Sequence, residues 1–400
     1  MESDSRSGSP RLLVLGAGPA QLGLLEAARA RGLWLAVVDR DPAAPGFQLA
    51  DRRCILSTED ESAIERLIGA MTIGGIIAPG TDWPVGVAAR IAAQTGLPHP
   101  ISPRTAVLAT NKLRQRERLH EAGIAQPRWW IVGGADRPPE LSGPVVVKAP
   151  DRQGQKGLTL VESAADLPAA IEAARAAARN GLALVEELVE GPEVTVVGLS
   201  ADGAFTGLVV TDRVVAEQPA FGVALAHVWP SHDQGQALDV AERAVSALGI
   251  ENGPSYTQLR LAADGPQVIE VAARLGGGHD AELVEAVTGV NLNGLAIDAA
   301  FGTRPLVPSW HKPRVGGAVT RFLVAPPGVL ERVEVPGDLE GVERVRIYRE
   351  PGHVFKPLRR GSDRAGAVLA VGESRQQAVA RAESAVKRIR FVTADAGALV

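Results

Sequence analysis

Three lysines occupy positions from which a folded chain could hold phosphate groups. Lys148 ends the apolar segment PVVVK, so its ammonium group projects from a predicted strand. Lys156 follows in the loop QGQKG, where glycines allow backbone N–H groups to face an anion. Lys112 opens a predicted helix and could add a third positive charge. A single lysine would be read as a solvated surface residue, whereas three beside a glycine loop favour phosphate binding.

Acidic and apolar residues follow the lysines in an order that suits a nucleoside. Glu186 ends the predicted strand LALVEEL, and Leu188 and Val189 come directly after it. The backbone there can pair with an adenine edge while apolar side chains sandwich the ring, and Glu193 can accept hydrogen bonds from ribose hydroxyls. An acidic strand end facing water is the alternative, but the position after the lysines favours nucleoside contacts.

A carboxylate and a guanidinium group share the apolar segment VIEVAAR. Burial of Glu270 would require a cation, and Mg²⁺ commonly binds through one or two carboxylates together with phosphate oxygens. Arg274, four residues later, could stabilise negative charge on a phosphoryl group during transfer. The alternative is a structural ion pair between Glu270 and Arg274.

A glycine run before a predicted helix is a candidate substrate site. Free N–H groups at Gly277, Gly278 and His279 could bind a substrate carboxylate or an acyl phosphate. His279 could instead cap the helix. His227, in FGVALAHVWP, is a further candidate substrate contact, although a lone histidine is also a common core residue.

The amino-terminal turn imitates a dinucleotide-binding fingerprint. Gly16, Gly18 and Gly23 follow an apolar strand, and Asp39 ends the next one. Four residues, beginning with Pro19, separate the second glycine from the third, where the fingerprint has two. The pattern favours a tight strand-to-helix corner and leaves a nicotinamide-dependent oxidoreductase as an alternative.

Composition narrows the class of protein. The chain has 400 residues, 46% of them hydrophobic, which is enough for about two to four domains. The net charge of −4 gives no overall field favouring nucleic acid or an anionic membrane. Cys54, the single cysteine, indicates a reducing compartment and core packing. With no long apolar run and a polar start over 1–10, we expect a soluble cytoplasmic protein with a disordered tail.

The order of predicted elements divides the chain further. Strands alternate with helices over 11–103, which predicts a parallel sheet. A helix over 105–123 opens the next region, 104–305, which contains two hairpins with Ala-Asp-Gly tips. The remainder, 306–400, consists of short predicted strands and a closing helix.

These motifs together resemble the ATP-grasp superfamily of carboxylate–amine ligases, over nearly all of 11–400. LATNKLRQRERLHEAGIAQPRWWIV resembles its lysine-bearing helix, and PVVVKAPDRQGQKGLTLV resembles its second lysine and phosphate lid. LVEELVEGPEVTVVG resembles its adenine hinge and ribose glutamate. GPQVIEVAARLGGG resembles the strand with the metal ligand and the catalytic arginine.

The resemblance implies an ATP-grasp fold of mixed class, α/β and α+β. We expect an amino-terminal parallel-sheet α/β domain over 11–103 and a central nucleotide-gripping domain over 104–305. Its lid covers about 112–188, and a small, mainly β domain follows over 306–400. The implied cofactors are ATP and Mg²⁺. The implied site residues are Lys112, Lys148 and Lys156 for phosphates, Glu186, Leu188, Val189 and Glu193 for the nucleoside, Glu270 for the metal, and Arg274 with Lys156 for catalysis.

Two positions depart from the family pattern. Gln258 stands where a second acidic metal ligand is usual, and Ala272 replaces the usual asparagine. The amide oxygen of Gln258 can still bind a metal, although more weakly than a carboxylate. A degenerate site that binds a nucleotide without catalysis is therefore one alternative.

The glycine run followed by HDAE is most similar to the L-amino-acid ligase branch. This resemblance implies an ADP-forming ligase that activates a carboxylate as an acyl phosphate and joins it to an amine, giving a dipeptide or a related amide. A bicarbonate-using carboxylase is a second alternative. Small-molecule substrates and a homodimer are expected, with neither nucleic acid nor a membrane as partner.

Overall fold

The computed structural model of the chain describes residues 8–134, 136, 140–306 and 312–394. Most of the predicted tail, 1–7, lies outside these residues. Within the described ranges, no helix is both long and apolar enough to cross a membrane.

The described residues contain ten α-helices. They are α1 (Leu22–Ala30), α2 (Glu61–Ala70), α3 (Asp82–Thr95), α4 (Pro103–Thr110), α5 (Lys112–Glu121), α6 (Leu167–Ala177), α7 (Gly235–Ala247), α8 (Asp280–Thr288), α9 (Leu292–Ala300) and α10 (Arg375–Arg388).

Nineteen β-strands are assigned in the same part of the chain. They are β1 (Arg11–Leu15), β2 (Trp34–Asp39), β3 (Arg52–Ile55), β4 (Gly75–Ile77), β5 (Trp129–Val132), β6 (Val145–Lys148), β7 (Thr159–Val161), β8 (Ala183–Glu187), β9 (Glu193–Ala201), β10 (Ala204–Val215), β11 (Ala224–Trp229), β12 (Gly253–Ala262), β13 (Gly265–Ala272), β14 (Gly317–Leu323), β15 (Gly328–Glu334), β16 (Val342–Ile347), β17 (Val354–Phe355), β18 (Gly366–Gly372) and β19 (Arg390–Ala394).

The amino-terminal strands form the predicted parallel sheet, in the order β3-β2-β1-β4. Strand β1 is buried on both faces. Leu12 and Val14 belong to one core cluster, and Leu13 and Leu15 belong to another. A continuous apolar run suits such a strand, because helices cover both faces of a parallel sheet.

The central sheet is antiparallel and has eight strands, in the order β13-β12-β9-β10-β11-β14-β18-β16. Its last three strands come from the predicted carboxy-terminal region, while β17, β15 and β19 form a small separate sheet. Strands from both sides of residue 305 share this sheet. The domain boundaries at 103 and 305 therefore stay predictions.

A second antiparallel sheet, β5-β8-β6-β7, carries α6 on one face. We call it the lid sheet. It contains Lys148 at the end of β6 and Glu186 in β8, and register pairs Glu186 with Val146. The lid sheet therefore places the predicted second lysine beside the predicted hinge.

The single helix predicted over 105–123 is wrong, because the chain forms two helices there. Asn111 adopts an extended conformation, with φ −113° and ψ 110°, and ends α4. Its side chain accepts hydrogen bonds from the backbone N–H groups of Leu113 and Arg114, which makes it the N-cap of α5. Lys112 is consequently the first residue of α5, in agreement with the prediction that it opens a helix.

Candidate active site

Two neighbouring cavities lie between the lid sheet, the central sheet and the loops after the parallel strands. The smaller has a volume of ≈ 150 Å³ and the larger ≈ 330 Å³. Six residues line both cavities and form the junction between them, namely Gln153, Gly154, Gln155, Tyr256, Gln258 and Arg274.

The smaller cavity brings most of the predicted charged residues together. Its described lining includes the cations Lys112, Lys148, Arg152, Lys156 and Arg274, and the carboxylates Asp82 and Glu270. Four of the five cations were predicted from the sequence. Positive charge concentrated beside two carboxylates suits a polyphosphate that binds together with a divalent cation.

Lys112 and Glu270 form an ion pair in this cavity. The ammonium nitrogen of Lys112 is 3.0 Å from Glu270 Oε1, and it also donates to the carbonyl oxygen of Arg152 at 2.9 Å. Burial disfavours both charges, but the pairing outweighs burial. It raises the pKa of Lys112 and lowers the pKa of Glu270. Both groups are therefore charged at neutral pH.

Glu186 connects the lid sheet to α5, the helix that begins with Lys112. Its carboxylate pairs with the ammonium group of Lys148 and accepts a hydrogen bond from Arg116 Nε at 2.7 Å. Arg116 donates further to the carbonyl oxygens of Val268 at 2.8 Å and Ile269 at 2.7 Å. Burial would raise the pKa of Glu186, but Arg116 and Lys148 hold it at about 2.

Loss of Arg116 should destabilise the fold. Both Arg116 and Glu186 have side chains that are only 2% exposed, so an Arg116→Met variant leaves a buried carboxylate with one partner and two carbonyl oxygens unpaired. We expect the free energy of unfolding to fall by about 3–5 kcal/mol, measured by urea denaturation. Arg114→Met removes an arginine from the same helix that is 58% exposed, and should cost less than about 1 kcal/mol. Equal stability of the two variants would contradict this role.

Arg274 is held at the junction of the cavities by Asp82. Its Nε donates to Asp82 Oδ1 at 2.6 Å, and its Nη1 donates to the carbonyl oxygen of Leu275 at 2.9 Å. Burial opposes the charge of Arg274, but Asp82 more than compensates and raises its pKa. The backbone N–H of Asp82 also donates to the side chain of Gln153 in the loop between β6 and β7, which we call the lid loop. The guanidinium group is thus fixed in place and ionised.

Glu270 and Gln258 offer oxygen atoms for a divalent cation. They lie directly opposite each other on β13 and β12, and both line the smaller cavity. Among the described residues, no group of three or more His, Cys, Asp or Glu side chains could hold a metal. Mg²⁺ needs only one or two protein ligands when phosphate oxygens and water complete its shell, so this pair fits it.

Gly277, Gly278 and His227 lie at the larger cavity, and their role as substrate contacts stays a prediction. Gly277 and Gly278 line it, and a Cβ atom at Gly278 would come within 2.7 Å of His227 Nε2. His227 is 1% exposed, and burial lowers its pKa to about 4, so the imidazole is neutral at physiological pH. Its Nδ1 lies 3.7 Å from Asp280 Oδ1.

His279 has a different environment from the one predicted for a substrate contact. It is not among the residues lining the cavities, and it adopts a left-handed conformation with φ 61° before α8. Its Nε2 forms a hydrogen bond with the hydroxyl of Tyr348, and its Nδ1 lies 3.6 Å from Glu282 Oε1. The ring therefore ties α8 to the loop that follows β16.

Glu282 should make the stability of the fold decrease as the pH falls through the acid range. Burial would raise its pKa, but His279 and Arg346 hold it at about 2, below its ordinary value of 4.5. A lowered pKa stabilises the fold above about pH 4.5, and this contribution disappears as the pH falls towards 2. Glu282→Gln should therefore show a lower Tm at pH 7 and a weaker fall in Tm between pH 5 and pH 2.5. Glu331→Gln, at a side chain 53% exposed, is the control and should follow the wild type.

Comparison with known families agrees with this geometry. The ATP-grasp domain family matches residues 109–278, and the L-amino acid ligase C-terminal domain 2 matches residues 321–394. Residues 109–278 of the chain are therefore similar to an ATP-grasp domain, and its neighbours among solved structures have the ATP-grasp fold. ATP-grasp enzymes are ATP-dependent ligases that use ATP with Mg²⁺.

Two curated relatives of this chain match most of its length. The uncharacterized protein y4rH of Sinorhizobium fredii is 27% identical over 391 residues, covering 91% of this chain and 79% of the relative. Carnosine synthase 1 of Gallus gallus is 26% identical over 378 residues, covering 84% of this chain. The match spans 40% of the carnosine synthase.

A solved L-amino acid ligase from Bacillus licheniformis has the same fold. It superposes with a TM-score of 0.82 at 23% identity, covering 97% of this chain and 99% of the ligase. At this identity the likeness extends to the fold alone. The predicted fold class is confirmed, with a parallel amino-terminal sheet and antiparallel sheets beyond it.

The predicted nucleoside residues of the chain do not line either cavity. The N–H of Leu188 donates to the carbonyl oxygen of Pro144 at 3.0 Å, and Val189 is 8% exposed. Glu193 pairs with Arg213 and, at 3.3 Å, with Arg260. The nucleoside roles of Leu188, Val189, Glu186 and Glu193 stay predictions.

The amino-terminal glycine turn is a structural corner in this chain. Both carboxylate oxygens of Asp39 accept backbone hydrogen bonds, from Ala17 at 2.8 Å and Asp41 at 3.0 Å. A Cβ atom at Gly23 would lie 1.9 Å from Glu282 Oε1, so glycine allows α1 to pack closely there. Because both carboxylate oxygens of Asp39 already accept backbone hydrogen bonds, Asp39 no longer supports the alternative of a nicotinamide-dependent oxidoreductase.

Sequence reasoning missed several residues of the site. Asp82 gave no signal, because only the fold brings the start of α3 to Arg274. Arg116 could have been found from the sequence. It follows Lys112 by about one helical turn, so the two side chains lie on the same face of the helix. Gln153 and Gln155 lie in the predicted phosphate loop but were not singled out.

Proposed function

We propose that the protein activates a carboxylate with ATP and joins it to an amine, releasing ADP and phosphate. We further infer that both substrates are amino acids and that the product is a dipeptide or a related amide. One observation carries the proposal: the charged cavity and the larger cavity meet at Arg274 and Gln258. A phosphoryl group held in the first would there face a carboxylate held in the second.

In this proposal the cations bind and neutralise the triphosphate. Lys112, Lys148 and Lys156 contact phosphate oxygens, and Lys156 is the exposed member, on a loop that can fold over the ligand. Phosphoryl transfer requires positioning and charge neutralisation more than an enzyme nucleophile. A site that gathers fixed cations around a small cavity meets this requirement.

Arg274 serves the transfer step. A substrate carboxylate oxygen forms a bond to the γ-phosphorus while the bond to the ADP oxygen breaks, giving an acyl phosphate. The amine nitrogen then attacks the acyl carbon, the carbon–oxygen bond to phosphate breaks, and the amine proton is released. Arg274, fixed by Asp82, stabilises the charge on the phosphoryl oxygens throughout.

Glu270 and Gln258 are the residues that would hold Mg²⁺. When bound, the metal would neutralise phosphate charge and orient the terminal phosphoryl group. Because Gln258 is neutral, we expect weaker metal binding at its position than a carboxylate would give.

The assignment of amino acids as substrates has separate support. Residues 321–394 match an L-amino acid ligase domain, and the fold is that of a solved L-amino acid ligase. Gly277 and Gly278 provide close backbone approach at the larger cavity, where a substrate carboxylate could be bound.

A screen of phosphate release over pairs of amino acids, with mass detection of products, tests the proposal. We expect ADP, phosphate and an amide in equal amounts, formed only when both amino acids are present. ADP formation that requires bicarbonate would instead identify a carboxylase. ATP binding without phosphate release for any pair would identify a non-catalytic nucleotide-binding module.

The homodimer is also part of the proposal, through the resemblance to dimeric ligases. Light scattering after size exclusion should give a mass of twice 41.7 kDa. A mass of one chain would contradict it.

A further inference from the structure

Three buried polar side chains lead from the larger cavity into the core of the protein. The first is Tyr348, which follows β16 and lines the cavity. Its hydroxyl forms a hydrogen bond with His279 Nε2 at 2.5 Å, and His279 Nδ1 lies 3.6 Å from Glu282 Oε1. Tyr348 is 6% exposed, and His279 and Glu282 are each 7% exposed. We call these three residues the buried triad.

Arg346 holds the inner end of the buried triad. Its Nη2 donates to Glu282 Oε1 at 3.0 Å, and its Nη1 donates to Glu26 Oε1 at 2.6 Å. Burial alone would raise the pKa of Glu282, but His279 and Arg346 lower it to about 2. Glu282 is therefore a carboxylate at neutral pH, and its negative charge faces the imidazole ring of His279.

This carboxylate determines which ring nitrogen of His279 carries the proton. A carboxylate favours a proton on the nitrogen that faces it, here Nδ1, and the other nitrogen is then an acceptor. In this tautomer His279 Nε2 accepts the hydrogen bond from the Tyr348 hydroxyl. His279 also has a left-handed backbone conformation with φ 61°, which is uncommon for residues other than glycine and often occurs at functional sites.

Tyr348 can pass a proton on but cannot stay deprotonated at neutral pH. Burial raises the pKa of its phenol, even though Arg364 and Arg346 favour the phenolate. The hydroxyl can therefore take up a proton only if it donates its own to His279 at the same time. The imidazolium that results would lie against the Glu282 carboxylate, which stabilises the positive charge.

His227 also lines the larger cavity, but it is a poorer proton acceptor. Burial lowers its pKa to about 4, and Arg213 and Arg364 act in the same direction, against the attraction of Asp280. A proton taken up at His227 would therefore be repelled by two guanidinium groups. A proton taken up at His279 would instead face a carboxylate.

The second step of the proposed reaction requires a proton acceptor at this cavity. When an amine nitrogen bonds to an acyl carbon, positive charge develops on the nitrogen until it loses a proton. A positioned group that removes this proton typically accelerates such a step by about 10²- to 10⁴-fold. The buried triad provides an acceptor with its counter-charge already in place.

We propose that Tyr348 is a catalytic residue that takes the proton from the attacking amine, with His279 as the final acceptor and Glu282 as a positioning residue. The amine proton passes to Tyr348 Oη, the Tyr348 proton passes to His279 Nε2, and the carbon–oxygen bond to phosphate breaks. After the product leaves, water entering the cavity takes the proton back through Tyr348. This inference rests on the proposed function, because it assigns the proton acceptor of the same reaction.

Competition between two nucleophiles tests the proposal. Hydroxylamine converts acyl phosphates to hydroxamates, and its weakly basic nitrogen loses its proton readily to water, so it does not need the buried triad. When hydroxylamine and the amino-acid amine are present together, both react with the same acyl phosphate. The ratio of amide to hydroxamate, measured by mass detection, therefore does not depend on how fast the acyl phosphate forms.

Tyr348→Phe keeps the ring but removes the hydroxyl, and it should lower the ratio of amide to hydroxamate by about 10²-fold. His279→Asn suits the left-handed conformation but cannot carry the proton, so it should lower the ratio by a similar factor. The double variant should lower it no further, because the two residues act as a unit. Glu285→Gln, at an exposed glutamate of the same helix as Glu282, should keep the wild-type ratio.

The outcomes distinguish this inference from the proposed function. A wild-type ratio in Tyr348→Phe, including the case in which amide and hydroxamate fall together, would overturn the role of the buried triad and leave the ligase proposal intact. A double variant whose ratio falls by the product of the two single effects would also overturn that role. If the wild-type protein formed neither amide nor hydroxamate from any amino acid and ATP, the proposed function itself would be wrong, and this inference with it.

Discussion

Replacing Arg274 by alanine is expected to lower kcat for ADP release by about 10²- to 10³-fold, the loss typical when a group that stabilises transition-state charge is removed. The affinity for ATP should change much less, because Lys112, Lys148 and Lys156 remain. A coupled assay for ADP measures kcat, and calorimetry with an ATP analogue measures affinity.

Asp82 complicates the alanine variant, because it loses its partner while only 6% exposed. Arg274→Lys keeps a cation near Asp82 but loses the planar guanidinium group, so it should fold normally and still lose most activity. Arg304→Ala, at a side chain 58% exposed, should keep full activity. Wild-type kcat in Arg274→Lys and Arg274→Ala would show that Arg274 is only a structural partner of Asp82.

Lys148→Ala is expected to weaken ATP binding by about 10- to 100-fold, because charge-assisted hydrogen bonds to phosphate contribute about 1.5–3 kcal/mol. The fold should survive, since Glu186 keeps Arg116 as a partner. Calorimetry with an ATP analogue and Mg²⁺ measures the loss.

Lys356→Ala provides the matched control for this variant. Lys356 is exposed and does not line either cavity. Its replacement should leave ATP affinity unchanged. If Lys148→Ala bound ATP as tightly as Lys356→Ala, Lys148 would serve only to neutralise Glu186.

Much of the fold could be predicted because the pattern of apolar residues is regular. Alternation of strands with helices predicted the parallel sheet, and Ala-Asp-Gly tips predicted the hairpins β9–β10 and β12–β13. The break at Asn111 was missed, because asparagine is compatible with a helical pattern until its capping role is recognised.

The candidate site could be predicted in part for the same reason. Lys148, at the end of β6, and Glu270, in β13, line the smaller cavity together because the register of their strands fixes where they lie. Tyr348 could not be found, since a loop sets its position. The inward pairing of Glu186 was also hidden, because its partner Arg116 lies on a helix distant in sequence.

The proposed function depends most on where a nucleotide binds. A crystal structure with Mg²⁺ and a nonhydrolysable ATP analogue should show the triphosphate in the smaller cavity, with its terminal phosphoryl group beside Arg274 and the metal bound to Glu270. A nucleotide bound elsewhere, with no ligand between Lys148 and Glu270, would contradict it.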